Sequence, residues 1–333
     1  MITVAGERIL VTGGTGCIGS WVVRGLLRQG VPVTVLAASG RLDRLRLVLA
    51  DAELDAVSIV RGDVNDLPLV EAAARAANVT GIVHLAALQL PFCAADPIAG
   101  ARVNVQGTAT VFELARRLDL GHVVYASSAA VYAPASAYPD EVVAADAPLG
   151  PTSFYGVYKT ANEQAAGVYH AAWGLSSTGI RPHSAYGPGR DQGVTSKPTV
   201  AMIAAAAGRP YHVDFGGAYQ FQFTEDVAAA FVAAVLRRPE GAHVYSCPGP
   251  RVAVAEIVEL LADLVPASRG RITAGDRVLP FPAAFDGAPI EQALGPLPRT
   301  TLAEGVERTV ATYRAAFERG LLDDAWLDRV TAA

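Results

Sequence analysis

Paired cysteines, runs of basic residues and long apolar segments are all missing from this chain, and each absence excludes a class of function. Its three cysteines, Cys17, Cys93 and Cys247, are widely scattered. Lone thiols at such spacing give neither a disulfide framework nor a metal site, so no metal is expected and a reduced, cytoplasmic setting is. Acidic residues outnumber basic ones, 32 to 27, for a net charge of −5, and no cluster of lysine or arginine breaks that balance. Nucleic acid is therefore not an expected partner. No uninterrupted apolar stretch reaches the roughly 18 to 20 residues of a membrane span, so no membrane partner is expected either. The first residues lead into a strand without the basic and apolar segments of a secretory signal.

What the chain has is a globular composition, 51% apolar and 18% charged over 333 residues, enough to bury a substantial core. Short β-type runs alternate with longer helical ones. Strands are expected at 8–11, 33–36, 57–61, 81–85, 122–126 and 178–181, and helices at 20–28, 67–77, 97–118 and 155–173. Such alternation makes a parallel sheet covered by helices on both faces.

Between the first strand and the first helix lies Val11-Thr12-Gly13-Gly14-Thr15-Gly16-Cys17-Ile18-Gly19. Gly13 suits a tight turn, Gly16 the close approach of a pyrophosphate, and Gly19 the packing of helix on strand. The pyrophosphate then rests on the helix N-terminus, alongside Cys17 and Ile18. Gly30 reads as the end of that helix. The fold expected is α/β, a Rossmann-type doubly wound parallel sheet with a smaller C-terminal substrate-binding lobe. The texture changes after residue 186, where Gly187-Pro188-Gly189 interrupts the alternation. A helix near 225–236 and a strand near 243–246 look like returns to the main sheet. The dinucleotide-binding domain is accordingly 1–186 plus about 223–248, and the lobe 187–222 and 249–333.

Two further signals carry chemistry. Tyr155 and Lys159 are four apart on a helix, so both project from one face. Using a tyrosine as acid/base near pH 7 asks for a shift of about 3 pKa units, or roughly 4 kcal/mol. A nearby ammonium, joined by the positive charge of an oxidised nicotinamide, supplies that kind of field. Ser127 and Ser128 leave the C-terminal end of the strand at 122–126, where open parallel sheets bind ligands. A serine there can donate to the oxygen on which charge develops.

Six motifs then occur in order: Thr12-Gly13-x-x-Gly16-x-x-Gly19, His84-Leu85-Ala86-Ala87, Asn104-Val105-x-Gly107-Thr108, Ser127-Ser128-x-x-Val131-Tyr132, Tyr155-x-x-x-Lys159 and Arg181-Pro182-x-x-x-Tyr186-Gly187-Pro188-Gly189. Together they resemble the extended short-chain dehydrogenase/reductase family, of the NAD-dependent epimerase/dehydratase type. The resemblance is close over about 8–190 and looser beyond. It implies that Tyr155 is the catalytic acid/base, that Lys159 holds the ribose and lowers the pKa of Tyr155, and that Ser128 orients the substrate. It implies an adenine contact at Asp63 and Val64, cofactor contacts at Leu85, Ala86 and Ala87, and Pro182 flanking the nicotinamide. Asn104 matches a structural or proton-relay position. Helices near 97–118 and 155–173 match the family's dimer helices, so a homodimer is expected.

Two departures bear on cofactor and substrate. An NAD site of this type usually has an acidic residue after the second strand, to hold the ribose 2′-OH. Here Ala37 occupies that position, followed by Ser39 and Arg41. These two, with Arg44, suit a 2′-phosphate, so NAD(P) is the expected cofactor with NADP(H) preferred over NAD(H). The alternative places Arg41 and Arg44 on a solvated helix face. The second departure is Gln220, near the position of a family arginine that serves nucleotide diphosphates; Arg271 or Arg277 are its candidate replacements. Residues placed at the substrate by their position are Gln89 and Phe92, then His183, Gln192, Thr195 and Lys197. Lys197 is a candidate partner for a carboxylate or phosphate, and His183 for a second acid/base, against a solvated lysine and a structural histidine.

The function expected is therefore hydride transfer at a secondary alcohol or ketone carbon of a small sugar- or polyol-like substrate, by an NAD(P)-dependent dehydrogenase/reductase. The alternative is a nucleotide-sugar 4-epimerase with tightly bound NAD. A dehydratase fits less well, since Ala129-Ala130 stand where that chemistry uses an acidic pair. A non-enzymatic dinucleotide sensor is opposed by the intact Ser128, Tyr155 and Lys159.

Overall fold

The computed structural model describes residues 4–332. Seven strands build the central sheet: β1 Ile9–Thr12, β2 Val33–Ala37, β3 Ser58–Arg61, β4 Gly81–His84, β5 His122–Ala126, β6 Ser176–Arg181 and β7 Ala242–Ser246. They lie in the order β7-β6-β5-β4-β1-β2-β3, and every neighbouring pair is parallel. The chain runs outward from β1 to β3, returns to β4 on the other side of β1, and runs outward again. That reversal leaves a crevice above the carboxyl ends of β1 and β4, the place where such sheets bind ligands.

Both faces of the sheet are covered, which is why β1, β2, β4 and β6 are buried along their whole length. On one face lies α1 (Cys17–Arg28), which buries Gly19, Val22, Val23 and Leu26, spaced as one helical stripe. Gly30 ends it in the left-handed region at φ +74, where only glycine avoids strain. Its N–H bonds the Leu27 carbonyl and that of Val31 the Leu26 carbonyl, a paired closing motif.

The opposite face carries α2 (Gly107–Arg117) and α3 (Phe154–Trp173), packed with Phe112, Val111 and Tyr125 in a second core. The helix expected across 97–118 is interrupted. A π-helical turn, Arg102–Gln106, joins Pro97–Ala101 to α2 and turns Asn104 inward. Such turns insert one extra residue per loop of helix and are frequent at functional sites.

The stretch at 225–236 returns as α4 (Thr224–Arg237), which packs against α1 through Val232 and Phe231, and β7 then joins the sheet beside β6. The C-terminal lobe has its own sheet: Ala218–Phe223 pairs parallel with Ser184–Tyr186 and antiparallel with Arg251–Ala253. Its core gathers Tyr186, Phe215, Tyr219, Phe221, Ile257 and Leu261. Ala284–Phe285 pairs with Val142–Val143, bringing the lobe to the rim of the crevice. No helix among the described residues is long and apolar enough to cross a membrane.

Candidate active site at the switch point

The glycine turn is a cradle that side chains would fill. Gly13 has φ +69, and a Cβ there would stand 2.6 Å from the Ala86 nitrogen. A Cβ on Gly16 would reach 3.0 Å from the Gly13 carbonyl oxygen, and one on Gly19 would collide with the same oxygen. Gly16 caps α1 with no side-chain hydrogen bond, and no acidic residue stands in the first turn. The helix therefore turns uncapped N–H groups and its positive end toward the cavity. These features fit a dinucleotide diphosphate.

Beneath the cradle runs a chain of buried hydrogen bonds that fixes the β4 exit. The Thr108 hydroxyl donates to the Asn104 carbonyl at 2.7 Å, so it accepts from His84 Nε2 at 3.1 Å. His84 Nδ1 is then the acceptor for the Thr12 hydroxyl at 2.7 Å, and Thr12 Oγ1 accepts from the Ala86 N–H. Burial, reinforced by the Lys159 charge, pushes His84 down to about 3, so the ring stays neutral. Asn104 clasps the backbone of Leu88, accepting from its N–H at 2.7 Å and donating to its carbonyl at 2.9 Å. This gives Asn104 a structural role that needs no proton relay.

Ser153 caps α3 by accepting from the Gly156 N–H at 3.1 Å, which places Tyr155 and Lys159 on the first two turns. A Cβ on Gly156 would strike the Ala130 carbonyl, so glycine lets the helix start against the Ser128 loop. Lys159 Nζ donates to the Ala126 carbonyl at 2.7 Å and sits 5.6 Å from the centre of the Tyr155 ring. Burial lowers Lys159 to about 8, against the pull of Cys93 and Glu163. Burial also raises Tyr155, while a hydrogen bond with Ser128 and the Arg190 charge hold it down. A cationic cofactor beside the ring would act in that same downward direction.

Glu163 and Arg181 support this group from below. Arg181 forks onto both Glu163 oxygens at 2.8 and 2.6 Å, and its third nitrogen donates to the Tyr132 hydroxyl at 2.7 Å. The Ser127 hydroxyl donates to Glu163 as well. The pair is buried and fully hydrogen-bonded, the condition a buried ion pair needs. Glu163 lies one turn beyond Lys159 and Arg181 ends β6; the four-residue spacing was the available signal for Glu163.

One cavity of about 470 Å³ joins these parts. Gly13, Gly16, Cys17, Ile18 and Gly19 line one end, and Leu85 and Ala87 its floor. Ser128, Tyr155, Lys159 and Pro182 line its middle, and Gln89, Phe92, His183, Gln192 and Thr195 the far part. Ala86 stands just outside, its N–H on Thr12. Phe281, Pro282, Phe285, Arg44 and Arg190 also belong to the lining. The three lobe residues were not legible as site residues.

Several expected site residues lie elsewhere. Ser39 and Arg41 are exposed and outside the lining; Arg41 pairs with Asp43 at 3.0 Å. Arg44 does face the cavity, but Asp191 holds it at 2.5 Å. Asp63 turns to Asn65 and Arg102, and Val64 packs in the core beside Gly107. Lys197 pairs with Asp214 at 3.2 Å, away from the cavity. Arg277 takes the same carboxylate at 3.0 Å, and Arg271 is exposed. Gln220 is buried, with its amide donating to the Gly249 and Phe285 carbonyls.

His183 has both nitrogens engaged. Nε2 can only donate to the Pro282 carbonyl at 2.8 Å, which leaves Nδ1 to accept from Ser184. Burial lowers it to about 4. It is a neutral structural histidine, and no second acid/base faces Tyr155 from that position.

Comparison with known proteins agrees with this geometry. Residues 9–247 match the model of the NAD dependent epimerase/dehydratase family. A UDP-glucose 4-epimerase from Mycolicibacterium smegmatis is 32% identical, over 92% of this chain and 98% of that protein. One from Azospirillum brasilense is 29% identical, over 96% and 95%. The structure of Thermus thermophilus UDP-glucose 4-epimerase in complex with NAD superimposes with a TM-score of 0.77 at 25% identity, covering 93% of this chain and all of that one. With the glycine cradle, the Ser128–Tyr155–Lys159 group and this match in hand, the chain belongs to the NAD dependent epimerase/dehydratase family.

Proposed function

We propose that the protein is a nucleotide-sugar 4-epimerase that keeps NAD bound through its cycle. The observation that carries the reading is one tyrosine, Tyr155, beside Ser128 and Lys159 in a cavity whose lining holds no carboxylate and whose histidine, His183, is spent in structural hydrogen bonds. Reversible oxidation of a sugar hydroxyl needs one such group. Elimination of water needs more, and Ala129, Ala130 and the engaged His183 offer none.

Tyr155 takes the proton of the sugar C4 hydroxyl while Ser128 hydrogen-bonds the oxygen, and Lys159 supports the phenolate. Bound along the cradle, NAD would supply the hydride acceptor and donor. Tyr155 then returns its proton to the opposite configuration. Phe92, Phe281 and Phe285 present no fixed donors to the sugar, so the ketone is able to turn its other face before reduction. NAD replaces the NADP(H) preference in this reading. Ser39 and Arg41 lie outside the cavity and Arg44 is neutralised by Asp191, which leaves no free cation for a 2′-phosphate at those three positions. NAD is also the ligand of the Thermus epimerase complex.

The reading includes a homodimer, supported by the exposed apolar side chains of Phe154, Val157, Val168 and Trp173 on α3 and of Ile98. It keeps the division into a dinucleotide domain, 1–186 plus about 223–248, and a lobe of 187–222 and 249–333. A second reading, an exchanging dehydrogenase on a small polyol, is favoured by one observation. The lobe residues Phe281, Pro282 and Phe285 bring no charge to the cavity for a nucleotide diphosphate.

The test is to supply UDP-glucose without added cofactor and follow the sugar by proton NMR. Conversion to UDP-galactose with no net absorbance gain at the NADH band is the expected result. No epimer, together with steady NADH production from polyols and added NAD, would establish the second reading instead.

A further inference from the structure

The segment from Gly187 to Thr195 crosses the mouth of the dinucleotide crevice and is tied down at several points. Trp21 on α1 donates its indole N–H to the Pro188 carbonyl at 2.9 Å. The Gly189 N–H donates to the Tyr313 hydroxyl at 3.0 Å. Asp191, buried, accepts two hydrogen bonds from Arg44, at 3.1 and 2.5 Å, across 147 positions of sequence. The contact over the cradle is close: a Cβ on Gly189 would lie 3.6 Å from Cys17 Cα and 3.7 Å from Arg44 Cδ. Gly189 and Gly193 have φ of +90 and +102, values that glycine adopts without strain.

Arg190 is the unusual member of this segment. It lines the same cavity as Gly13, Gly16, Cys17 and Tyr155. Among the described residues it has no carboxylate within ion-pair distance, whereas Arg44, the other arginine of the lining, has Asp191. One nitrogen donates to the Thr195 hydroxyl at 3.3 Å. Its Nε is buried with no partner at all, a state that a ligand oxygen would relieve. The Arg190 and Arg44 charges both reach the Cys17 thiol, where they oppose the burial that lifts it to about 11. Arg190 also pulls on Tyr155. It therefore shares one cavity with the uncapped start of α1 and with Tyr155.

We infer that residues 187–195 form a strap over the cofactor diphosphate, with Arg190 as its cation and the Arg44–Asp191 pair as its clasp. The inference rests on the dinucleotide reading of the cradle, and deepens it by giving the diphosphate a second, charged side opposite α1. Guanidinium groups suit that anion because their forked donors match its oxygens. A cofactor enclosed from both sides leaves slowly, which is what an enzyme that must return its hydride requires.

The test is NAD binding, measured by calorimetry and by stopped-flow dissociation on protein stripped of nucleotide. Arg190→Gln is expected to weaken NAD at least tenfold, with partial rescue by Arg190→Lys. Asp191→Asn is expected to speed NAD release about tenfold, and the melting temperature of each variant checks that it is folded. NAD affinity within twofold of wild type in Arg190→Gln and Asp191→Asn would overturn the strap. If KM for UDP-glucose rose in Arg190→Gln under that outcome, Arg190 would belong to the substrate. Failure of the epimerase reading shows separately, as tight NAD binding without any UDP-galactose formed.

Discussion

The two walls of the cavity are made of different material. The sheet side offers Ser128, Tyr155 and Lys159, with Lys159 pinned to the Ala126 carbonyl near the Glu163–Arg181 pair. The lobe side offers Phe281, Pro282 and Phe285, and the Pro282 carbonyl accepts from His183 at the boundary. In the proposed function the reacting groups stand on the sheet side, while Phe281, Pro282 and Phe285 shape the space opposite them. An apolar wall selects by fit, and a methylene changes such selection by only about 1–3 kcal/mol. Polar reacting groups act through geometry and are far less forgiving.

Neutral buried histidines underlie the sheet side and its contact with the lobe at Pro282, and acid should weaken both together. His84 is pushed to about 3, His122 to about 4 and His183 to about 4, each chiefly by burial. Their folded pKa values lie below the unfolded value of about 6.5, so the unfolded chain binds more protons as pH falls. Their stabilising contribution is complete above pH 6.5 and is lost as pH drops toward 4. By pH 5 the loss is up to about 2 kcal/mol for each histidine. Urea titrations from pH 7.5 to 5 should show it; a flat profile over that range would contradict neutral, buried rings.

On the sheet side, Tyr155→Phe should lower turnover at least a hundredfold, or about 3 kcal/mol, while NAD affinity stays within a few-fold. Steady-state kinetics with a parallel binding titration separates the two. Lys159 provides a stability counterpart. It keeps its charge in the folded state only below about 8, so burying the ammonium costs stability in full below that pH, and the cost is relieved by about 10.5. Lys159→Met should therefore be inactive yet more stable at pH 7, by about 2 kcal/mol after loss of the Ala126 bond. That advantage should shrink between pH 8 and 10.5. The smallest effect belongs to the lobe side: Phe281→Ala should raise KM for the sugar substrate several-fold and leave kcat within about twofold. A kcat drop comparable to that of Tyr155→Phe would erase the distinction between the walls.

The sequence shows one wall far better than the other, for a physical reason. The glycine turn, the Tyr155–Lys159 spacing and the Ser128 strand exit are short-range features, fixed by turn sterics and helical period. The main-sheet strands lie within a residue or two of the expected ranges because alternation of apolar runs and helices sets them. Residues whose role depends on a distant partner were not legible. Lys197 and Arg277 meet at Asp214, and Arg44 meets Asp191, only once the lobe has folded back. Motif position alone marks Asp63, and Asn65 and Arg102 decide its direction. The sequence around His183 fits two roles because the deciding Pro282 carbonyl comes from 99 residues away. Phe281 and Phe285 carry no motif, since an apolar wall needs only shape.

The most direct test of the central claim is the fate of hydrogen at the reacting carbon. UDP-glucose carrying deuterium at C4 should yield UDP-galactose with the deuterium retained at C4, even in the presence of excess unlabelled NADH. Appearance of the deuterium in the free NADH pool, released as labelled reduced cofactor, or its absence from any epimer, would contradict a hydride that leaves and returns within one closed site.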